Sequence, residues 1–419
     1  MVKLLIIADD FTGALDTGVQ FAKRGIDTQV YTGTSVEKST VSQTAQVLVV
    51  DSETRPLSRD KAYKTVKKIV RDAITLGVST IFKKTDSALR GNVGGELSAV
   101  LDASGENQLY FIPAYPDVNR VTRNGMHYID GQLLADSAFG KDPFEPVKCS
   151  YLPQLIREQT EYEVRQIKIE DPFPVEEKQG KTICLFDAET RQQMEQRIHE
   201  MKTYGKLTLL AGCAGLAACL PDVLELCETR PEKISRTKGL YVACGSLNPI
   251  TKKQVEYAVS RGYARIHLTE EQKLIPGFYD TARGKMFLEE LRTICEESEK
   301  VIVDTFDTDE TCGTREYARR HNIDTEEIRY LISQCHGKIV KNLAENGLNY
   351  TILMTGGDTL MGFMKEIGCS QLHPVCEIGQ GAVLSWLLWK GRKLQVISKS
   401  GGYGKKEMMI EIAQKVIKG

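Results

Sequence analysis

Short runs of β-branched and aliphatic residues alternate with longer helical patterns along almost the whole chain, and no other feature of the sequence limits the fold as strongly. The clearest helical pattern is 61–73, where apolar residues recur at helical spacing. Strands separated by helices favour parallel sheets that are covered by helices on both faces. The predicted strands are Leu4 to Ala8, Thr28 to Tyr31, Val47 to Val50, Thr80 to Lys83, Leu109 to Ile112, Thr182 to Phe186, Leu207 to Ala211, Leu240 to Ala243, Val301 to Asp304, Tyr350 to Met354 and Leu394 to Ile397.

The chain has 419 residues, which is more than one hydrophobic core usually spans. A polar, charged segment that contains a proline, ETRPEKISRTK, occupies 228–238 and is typical of a linker. We therefore predict an α/β fold with an N-terminal domain over 1–228, a linker over 229–238 and a C-terminal domain over 239–419. Each domain is expected to be a mostly parallel sheet flanked by helices, with the active site in the cleft between them.

Charge and composition exclude several classes of partner. The 55 basic and 56 acidic residues give a formal net charge of -1, so no global field draws the chain onto nucleic acid or anionic lipid. No apolar stretch has the length of a membrane span, and the first apolar run stops at Asp9 before it reaches signal-peptide length. The eleven cysteines include no C-x-x-C pair and the six histidines are far apart. We expect a cytoplasmic protein, and we assign no metal ligand.

Polar residues that follow predicted strands are the first candidates for a site, because ligands of open α/β sheets bind beyond the carboxyl ends of the strands. Asp9 and Asp10 follow the first strand, where two carboxylates can accept hydrogen bonds from polyol hydroxyls or hold Mg²⁺. The alternative for Asp10 or Thr12 is a helix N-cap. Asp51 and Arg55 follow the third strand; the arginine either pairs with a carboxylate ligand or is a solvated surface residue.

The segment KKTDSALRGNVGGE, from Lys83 to Glu96, is dense in polar residues and glycines at a predicted turn from strand to helix. Lys84, Ser87 and Arg90 offer hydrogen-bond donors to a carboxylate or phosphate, and the glycines allow the backbone to approach a ligand. A further segment, 113–146, is long and has no helical period. Its polar residues either line the cleft or contact a second subunit of a homodimer; they are Arg120, Arg123 and His127.

Glycine-containing turns follow three predicted strands of the second half: Cys244 to Thr251, Thr355 to Phe363 and Ser398 to Glu407. Unobstructed backbone N–H groups at such turns can hold a polyphosphate. The chain has no G-x-x-x-x-G-K-[ST] pattern, and no G-x-G-x-x-G follows the first strand of either half. The turns therefore predict a nucleotide site outside the Walker and dinucleotide-fingerprint classes.

Taken together, IADDFTGALDTG, KKTDSALRGNVG, the 113–146 segment, TGGDT and KSGGYG resemble the four-carbon acid sugar kinase family, in the family's order and over nearly the whole chain. The resemblance implies an N-terminal domain that binds the acid sugar, a C-terminal domain that binds ATP with Mg²⁺, and phosphate transfer to the terminal C4 hydroxyl. D-threonate, D-erythronate and 3-oxo-tetronate are the known substrates. Thr85, Ala88 and Tyr403 depart from the family's usual isoleucine, threonine and phenylalanine, which bears on the substrate more than on the reaction.

The resemblance and the loops also predict the roles of individual residues. We expect Arg55 or Lys84 to bind the substrate carboxylate, and Asp9 or Asp86 to orient and deprotonate the hydroxyl. The substrate-binding set is Asp9, Asp10, Arg55, Lys84, Thr85, Asp86, Ser87 and Arg90. The nucleotide-binding set is Ser246, Thr355, Gly356, Gly357, Asp358, Thr359, Gly401 and Gly402.

Two other classes stay open at this point. The first is a hydroxy-acid oxidoreductase that uses the second half for a dinucleotide, against which the missing fingerprint glycines count. The second is a sugar-acid-binding sensor with degenerate nucleotide loops, since a fold alone does not establish catalysis. Binding of ATP, NAD or neither distinguishes the three.

Overall fold

The computed structural model describes residues 2–142, 145–176, 180–307 and 313–418, and divides the chain into two compact units, Met1–Pro231 and Glu232–Gly419. The division falls within the segment predicted as a linker. Both units are α/β, as predicted. Whether the active site lies between them stays a prediction.

The strands of the first unit are β1 (Leu4–Ala8), β2 (Thr28–Thr32), β3 (Val47–Asp51), β4 (Thr80–Lys84), β5 (Gln108–Ile112), β6 (Arg120–Arg123), β7 (Met126–Ile129), β8 (Gln132–Leu133), β9 (Glu163–Ile167), β10 (Thr182–Phe186) and β11 (Leu209–Gly212). Its helices are α1 (Phe11–Ala22), α2 (Arg59–Thr75), α3 (Val93–Ser104), α4 (Leu152–Arg157), α5 (Arg191–Thr203) and α6 (Ala214–Ala217). The main sheet is parallel, in the order β2-β3-β1-β4-β11-β5-β10-β9.

Strand β1 lies inside this sheet and is buried at every position, because β3 and β4 flank it and helices cover both faces. Its last residue, Ala8, is in register with Asp51 of β3 and with Lys84 of β4. The loops that leave these three strands therefore start side by side. This register positions the first candidate site.

The long 113–146 segment contains a small antiparallel sheet, β6-β7-β8, for which no strands were predicted. Pro143 and Phe144 of the segment lie outside the described residues. Strand β11 begins two residues later than the predicted start at Leu207. The reason is that the turn closing α5 extends to Lys206, whose N–H donates to the carbonyl of Met201.

The strands of the second unit are β12 (Gly239–Cys244), β13 (Ala264–His267), β14 (Lys300–Asp304), β15 (Tyr350–Thr355), β16 (Gln371–Gly379), β17 (Ala382–Trp389) and β18 (Arg392–Lys399). Its helices are α7 (Pro249–Val259), α8 (Glu270–Leu274), α9 (Ala282–Glu297), α10 (Thr314–Arg320), α11 (Thr325–Glu345), α12 (Gly357–Glu366) and α13 (Met408–Val416). Strands β13-β14-β12-β15-β18 are parallel, and β17 and β16 continue the sheet in antiparallel fashion.

The register of the second unit also aligns strand ends. Cys244 at the end of β12 is in register with Thr355 at the end of β15, and Thr355 is in register with Lys399 at the end of β18. The three predicted glycine turns therefore leave the sheet next to one another. Among the described helices, none combines the length and the apolar character needed to cross a membrane.

Candidate functional site

A single arginine joins the loops that follow β1, β3 and β4. The Nε atom of Arg55 lies 2.7 Å from Asp9 Oδ2, and its Nη2 lies 2.7 Å from Asp10 Oδ1 and 3.9 Å from Asp86 Oδ1. Burial alone would lower the pKa of Arg55, but the three carboxylates raise it well above its ordinary value. The guanidinium is permanently charged, and its Nε and Nη2 groups are engaged by carboxylates of the protein.

Asp9 keeps one carboxylate oxygen available. Its Oδ2 accepts from Arg55, whereas its buried Oδ1 has no hydrogen-bond partner among the described residues. Burial would raise the pKa of Asp9, but the charges of Arg55, Lys84 and Lys83 outweigh it and lower the pKa. A buried, ionised oxygen without a hydrogen-bond partner is unusual in folded proteins, and this oxygen is able to accept a hydrogen bond from a ligand.

Lys84 is the second group with unused capacity. Its side chain is buried, and its ammonium lies 4.0 Å from Asp9 Oδ1, which is an ion pair too long for a strong hydrogen bond. No hydrogen bond from this ammonium occurs within the described ranges of the chain. A Cβ atom at Gly13 would lie 2.5 Å from Lys84 Nζ and from Asp10 Oδ1, so only glycine permits this approach. Lys84 can therefore donate to an anion.

Asp10 has two roles, and one of them is the helix N-cap that was the alternative prediction for this residue. Its Oδ1 accepts from the N–H of Gly13 at 3.1 Å, so Asp10 is the N-cap of α1. The same oxygen pairs with Arg55. Asp9 and Asp10 are thus both tied to an arginine, and among the described residues no group of three or more His, Cys, Asp and Glu side chains could hold a metal ion.

Asp86 is fixed by its neighbour four residues on. Arg90 grips it with Nε at 2.7 Å from Oδ2 and Nη2 at 3.2 Å from Oδ1. Burial would raise the pKa of Asp86, but Arg55 and Arg90 hold it far below its usual range. Such a carboxylate accepts hydrogen bonds at every physiological pH and is a poor proton acceptor.

The small sheet β6-β7-β8 supports the loop that contains Ser87. Arg120 donates to the Ser87 hydroxyl, and the Nε2–H of His127 donates to the Ser87 carbonyl at 3.1 Å. Burial lowers the pKa of His127 to about 4, so the ring is neutral and its Nδ1 accepts from Thr122 Oγ1 at 3.0 Å. Arg123, in contrast, is exposed and pairs with Glu189. Arg120 and His127 thus belong to this site and Arg123 does not contact it.

Two more buried polar atoms at this edge have no hydrogen-bond partner in the described parts of the chain. They are Thr85 Oγ1 and Asp51 Oδ2. Burial, together with the charges of Glu53, Asp10 and Asp9, raises the pKa of Asp51 well above its ordinary value. Asp51 is therefore a buried carboxyl group of raised pKa near a charged cluster. Asp51 lies near Asp9 and Asp10 because Asp51 of β3 is in register with Ala8 of β1.

A buried ion pair joins the two end residues of the KKTDSALRGNVGGE segment, for which no role was predicted. Lys83 Nζ is 3.1 Å from Glu96 Oε2, and both side chains are almost inaccessible to solvent. Thr54, which precedes Arg55, donates its hydroxyl hydrogen to Glu96 Oε1. The signal for the pair was a lysine at the end of a fully buried strand, because such a charge needs a partner.

The glycine turns of the second unit contact one another. The N–H of Ser246 donates to Thr355 Oγ1 at 3.3 Å, and Thr251 Oγ1 donates to the carbonyl of Gly401 at 2.9 Å. A Cβ atom on Gly401 would overlap with Ser246 Oγ, so this close approach requires glycine. The turn after β15 is joined to the third turn, because the N–H of Gly356 donates to the carbonyl of Lys399.

Helix α12 begins at this junction with Gly357, directly after Gly356, whose φ of 92° lies in the region that favours glycine. Thr359 is buried and donates to the carbonyl of Thr355. The free N–H groups of the first turn, and the small residues around them, fit a polyphosphate. Asp358 of the predicted set is exposed, and its Oδ2 lies 2.9 Å from Arg329.

Comparison with known proteins also separates a sugar-binding N-terminal part from a nucleotide-binding C-terminal part. A family model described as a sugar-binding N-terminal domain matches residues 4–220, and one described as a nucleotide-binding C-terminal domain matches residues 241–409. These matches define the class: a two-domain protein with a sugar-binding and a nucleotide-binding part.

Relatives of known activity match over nearly the full length. D-threonate kinase of Salmonella typhimurium is 25% identical over 418 residues, which are 96% of this chain and 96% of the relative. D-erythronate kinase of Heliobacterium modesticaldum is 23% identical (96% of this chain, 94% of the relative), and 3-oxo-tetronate kinase of Haemophilus influenzae is 22% identical (98% of each). The chain belongs to the four-carbon acid sugar kinase family.

Solved structures show the same fold. A crystal structure of a DUF1537 protein from Haemophilus influenzae superposes with a TM-score of 0.74 at 21% identity, covering 97% of this chain and 98% of the other. The crystal structure of a protein from Salmonella typhimurium that is described as a putative tRNA synthase superposes with a TM-score of 0.79 at 20% identity, covering 98% of each chain.

Proposed function

We propose that this chain is an ATP-dependent kinase that phosphorylates the terminal C4 hydroxyl of a four-carbon acid sugar such as D-threonate, D-erythronate or 3-oxo-tetronate. The proposal rests on Asp9, which follows β1, and Lys84, which ends β4: Asp9 Oδ1 accepts no hydrogen bond and Lys84 Nζ, 4.0 Å away, donates none among the described residues. The first can accept a hydrogen bond from a hydroxyl and the second can donate to a carboxylate. A short hydroxy acid offers both partners.

Of the two cations expected to bind the substrate carboxylate, Lys84 is the better candidate. The guanidinium of Arg55 is already shared among Asp9, Asp10 and Asp86, so a ligand would have to compete with the protein for its donors. The Lys84 ammonium has donors to spare. Arg55 accordingly has a positioning role, in which it holds Asp9 in place.

Of the two carboxylates expected to act on the hydroxyl, Asp9 is the better candidate. Asp86 is gripped on both oxygens by Arg90, and its pKa is held far below the usual range. Asp9 has a free oxygen that can accept the hydroxyl hydrogen and aim the oxygen atom. Phosphoryl transfer depends mainly on alignment and charge stabilisation, so a carboxylate of lowered pKa suffices for this role.

The glycine turns of the second unit would hold the ATP phosphates through the N–H groups near Ser246, Gly357 and Gly401. Mg²⁺, entering with ATP, supplies positive charge to the phosphates in kinases generally.

The test is ADP release, coupled to a spectrophotometric assay, with D-threonate, D-erythronate, 3-oxo-tetronate and the uncharged polyol threitol as acceptors. Asp9→Asn should lower kcat by a factor on the order of 10² to 10⁴. Lys84→Met should raise KM for the acid by roughly 10-fold to 100-fold, the value of a charge-assisted hydrogen bond. The variant should also have a smaller ratio of kcat/KM for the acid to kcat/KM for threitol than the wild type.

Asp60→Asn is the matched control, because Asp60 is an exposed aspartate on α2 outside the site. Its kinetics should equal those of the wild type. Near-normal turnover by Asp9→Asn would remove Asp9 from the reaction. Absence of acid-dependent ADP release by the wild type with every acceptor would overturn the proposed function.

A further inference from the structure

Lys399, the last residue of β18, is a buried lysine without a carboxylate partner. Its side chain is 0% exposed, and its ammonium donates to the carbonyl of Ser400 at 2.9 Å and lies 3.4 Å from Thr251 Oγ1. Within the described residues no Asp or Glu pairs with it. Two other lysines that are equally buried differ in this respect: Lys83 pairs with Glu96 and Lys273 pairs with Asp307.

An ammonium buried without a counter-charge costs several kcal/mol of folding free energy. The strand neighbours of Lys399, Thr355 on β15 and Ala382 on β17, carry no charge. The titratable group that acts on it is the Cys244 thiol, which is neutral because burial raises its pKa to about 12. Burial accordingly lowers the pKa of Lys399 to about 8. The fold retains a charge that nothing in the described chain compensates.

The position of Lys399 indicates which partner is missing. Its carbonyl accepts from Gly356 at the start of the second glycine turn, and its ammonium holds Thr251, which in turn donates to Gly401. Lys399 therefore touches each element of the turn cluster that would receive a polyphosphate. A ligand with several negative charges would supply the counter-charge here.

We infer that Lys399 is the charge-compensating residue of the nucleotide site, whose buried ammonium stabilises bound polyphosphate through its charge and through the turns that it anchors. This inference rests on the proposed function for the ligand class and adds a residue to it. Because the ammonium is shielded from solvent, Lys399 acts as a positioning residue and not as a direct phosphate ligand.

The first test compares Lys399→Met with the wild type by isothermal titration with ATP, inorganic tripolyphosphate and adenosine. Removal of the charge should weaken binding of ATP and of tripolyphosphate at least tenfold and leave adenosine within twofold. Thermal stability should be equal or higher, because the variant no longer buries an uncompensated charge. Lys390→Met is the control: it removes an exposed charge outside the glycine turns and should change affinity less than twofold.

The second measurement separates charge from shape. At pH 8, where ATP is fully ionised, ATP binding by the wild type should take up a fraction of a proton, up to about one half, because the anion favours the charged form of Lys399. Titrations in buffers of different ionisation enthalpy measure this uptake. The uptake assigned to Lys399 is the difference between the wild type and Lys399→Met, and it should vanish at pH 6.5, where the lysine of the free protein is already charged.

Each outcome is decisive. Unchanged ATP affinity in Lys399→Met, or an equal loss for adenosine and ATP, would overturn the inference while the proposed kinase stands. A wild type that binds tripolyphosphate with Lys399-dependent affinity but shows no kinase activity would keep the inference and overturn the proposed function. Failure of the wild type to bind either phosphate compound would overturn both.

Discussion

Replacement of Lys83 by methionine is the sharpest test of how the first site is held together. The ammonium donates to the carbonyls of Ile7 at 3.1 Å and Lys84 at 2.8 Å, and it pairs with Glu96 at 3.1 Å. Lys83→Met leaves a buried carboxylate and two carbonyls without this partner. Loss of one member of a buried pair costs about 3–5 kcal/mol.

The pKa of Glu96 is already raised by burial in spite of Lys83, so the carboxyl group will bind a proton once the lysine is gone. Because protonation of Glu96 removes its buried charge, the free energy of unfolding of Lys83→Met should fall by about 3 kcal/mol at pH 7, near the lower bound of this range. A raised carboxyl pKa means that the folded state binds more protons than the unfolded state. Stability therefore falls as pH rises, and the variant should lose less at pH 5 than at pH 7.

The assay is urea unfolding with two probes. Both tryptophans, Trp386 and Trp389, lie in the second unit, so their fluorescence reports that unit and should be unchanged. Hydrogen exchange measured on β1 and β4 peptides reports the first unit. The exposed pair of Lys68 with Asp72 provides the control, since Lys68→Met should cost no more than about 0.5 kcal/mol.

Lys83→Met combined with Glu96→Gln should lose less than the sum of the single changes, by about 1–3 kcal/mol, because the two side chains interact directly. A loss below about 1 kcal/mol in Lys83→Met, or strict additivity of the two changes, would refute the reasoning.

The remaining predictions concern the glycine turns and the buried histidines. Gly401→Ala should raise KM for ATP and lower the melting temperature, because its Cβ overlaps with Ser246 Oγ; Gly402→Ala should raise KM with unchanged melting, since its nearest neighbour would be 3.6 Å away. Equal melting temperatures of Gly401→Ala and Gly402→Ala would contradict this expectation. Burial lowers the pKa of His127 and His336 from 6.5 to about 4, so the unfolded chain binds protons first and the free energy of unfolding should fall as pH drops from 6.5 to 4. In urea unfolding of His127→Gln, the free energy of unfolding should decrease less over this pH range than in the wild type. A pH dependence equal to that of the wild type would argue against a lowered pKa for His127.

The interior of the fold could be predicted from the sequence because buried parallel strands are continuous apolar runs. Strand β1, LLIIA, is buried at all five positions and its predicted bounds are confirmed. Strands β9 and β13 were not predicted, because their sequences EVRQI and ARIH are partly exposed and carry charges. Periodicity detects burial, and a half-exposed strand gives little of that signal.

The small sheet β6-β7-β8 was missed although the sequence contained a usable signal. Asn124-Gly125 and Asp130-Gly131 separate its strands, and all four residues have positive φ. Such pairs are strong indicators of two-residue hairpins. With the hairpins recognised, Arg120 and His127 would have been placed on a rigid element next to the Ser87 loop.

The location of the candidate residues could be predicted more readily than their partners. The rule that ligands bind beyond strand ends selected Asp9, Arg55 and Asp86, and the structure brings these three together because β1, β3 and β4 are adjacent. That Arg90 is taken by Asp86, and that Lys84 is left with donors to spare, depends on side-chain directions that no spacing encodes. The catalytic and binding roles stay predictions until they are assayed.

The sharing of Arg55 among three carboxylates has an asymmetric consequence for anyone who wishes to reshape this pocket. Exchange of Asp10 or Asp86 for an amide leaves the guanidinium with two other acids, so the framework survives. Exchange of Arg55 leaves three clustered negative charges with less to separate them. A library that aims at new acceptors should therefore vary Asp10 or Asp86 and keep Arg55 and Asp9.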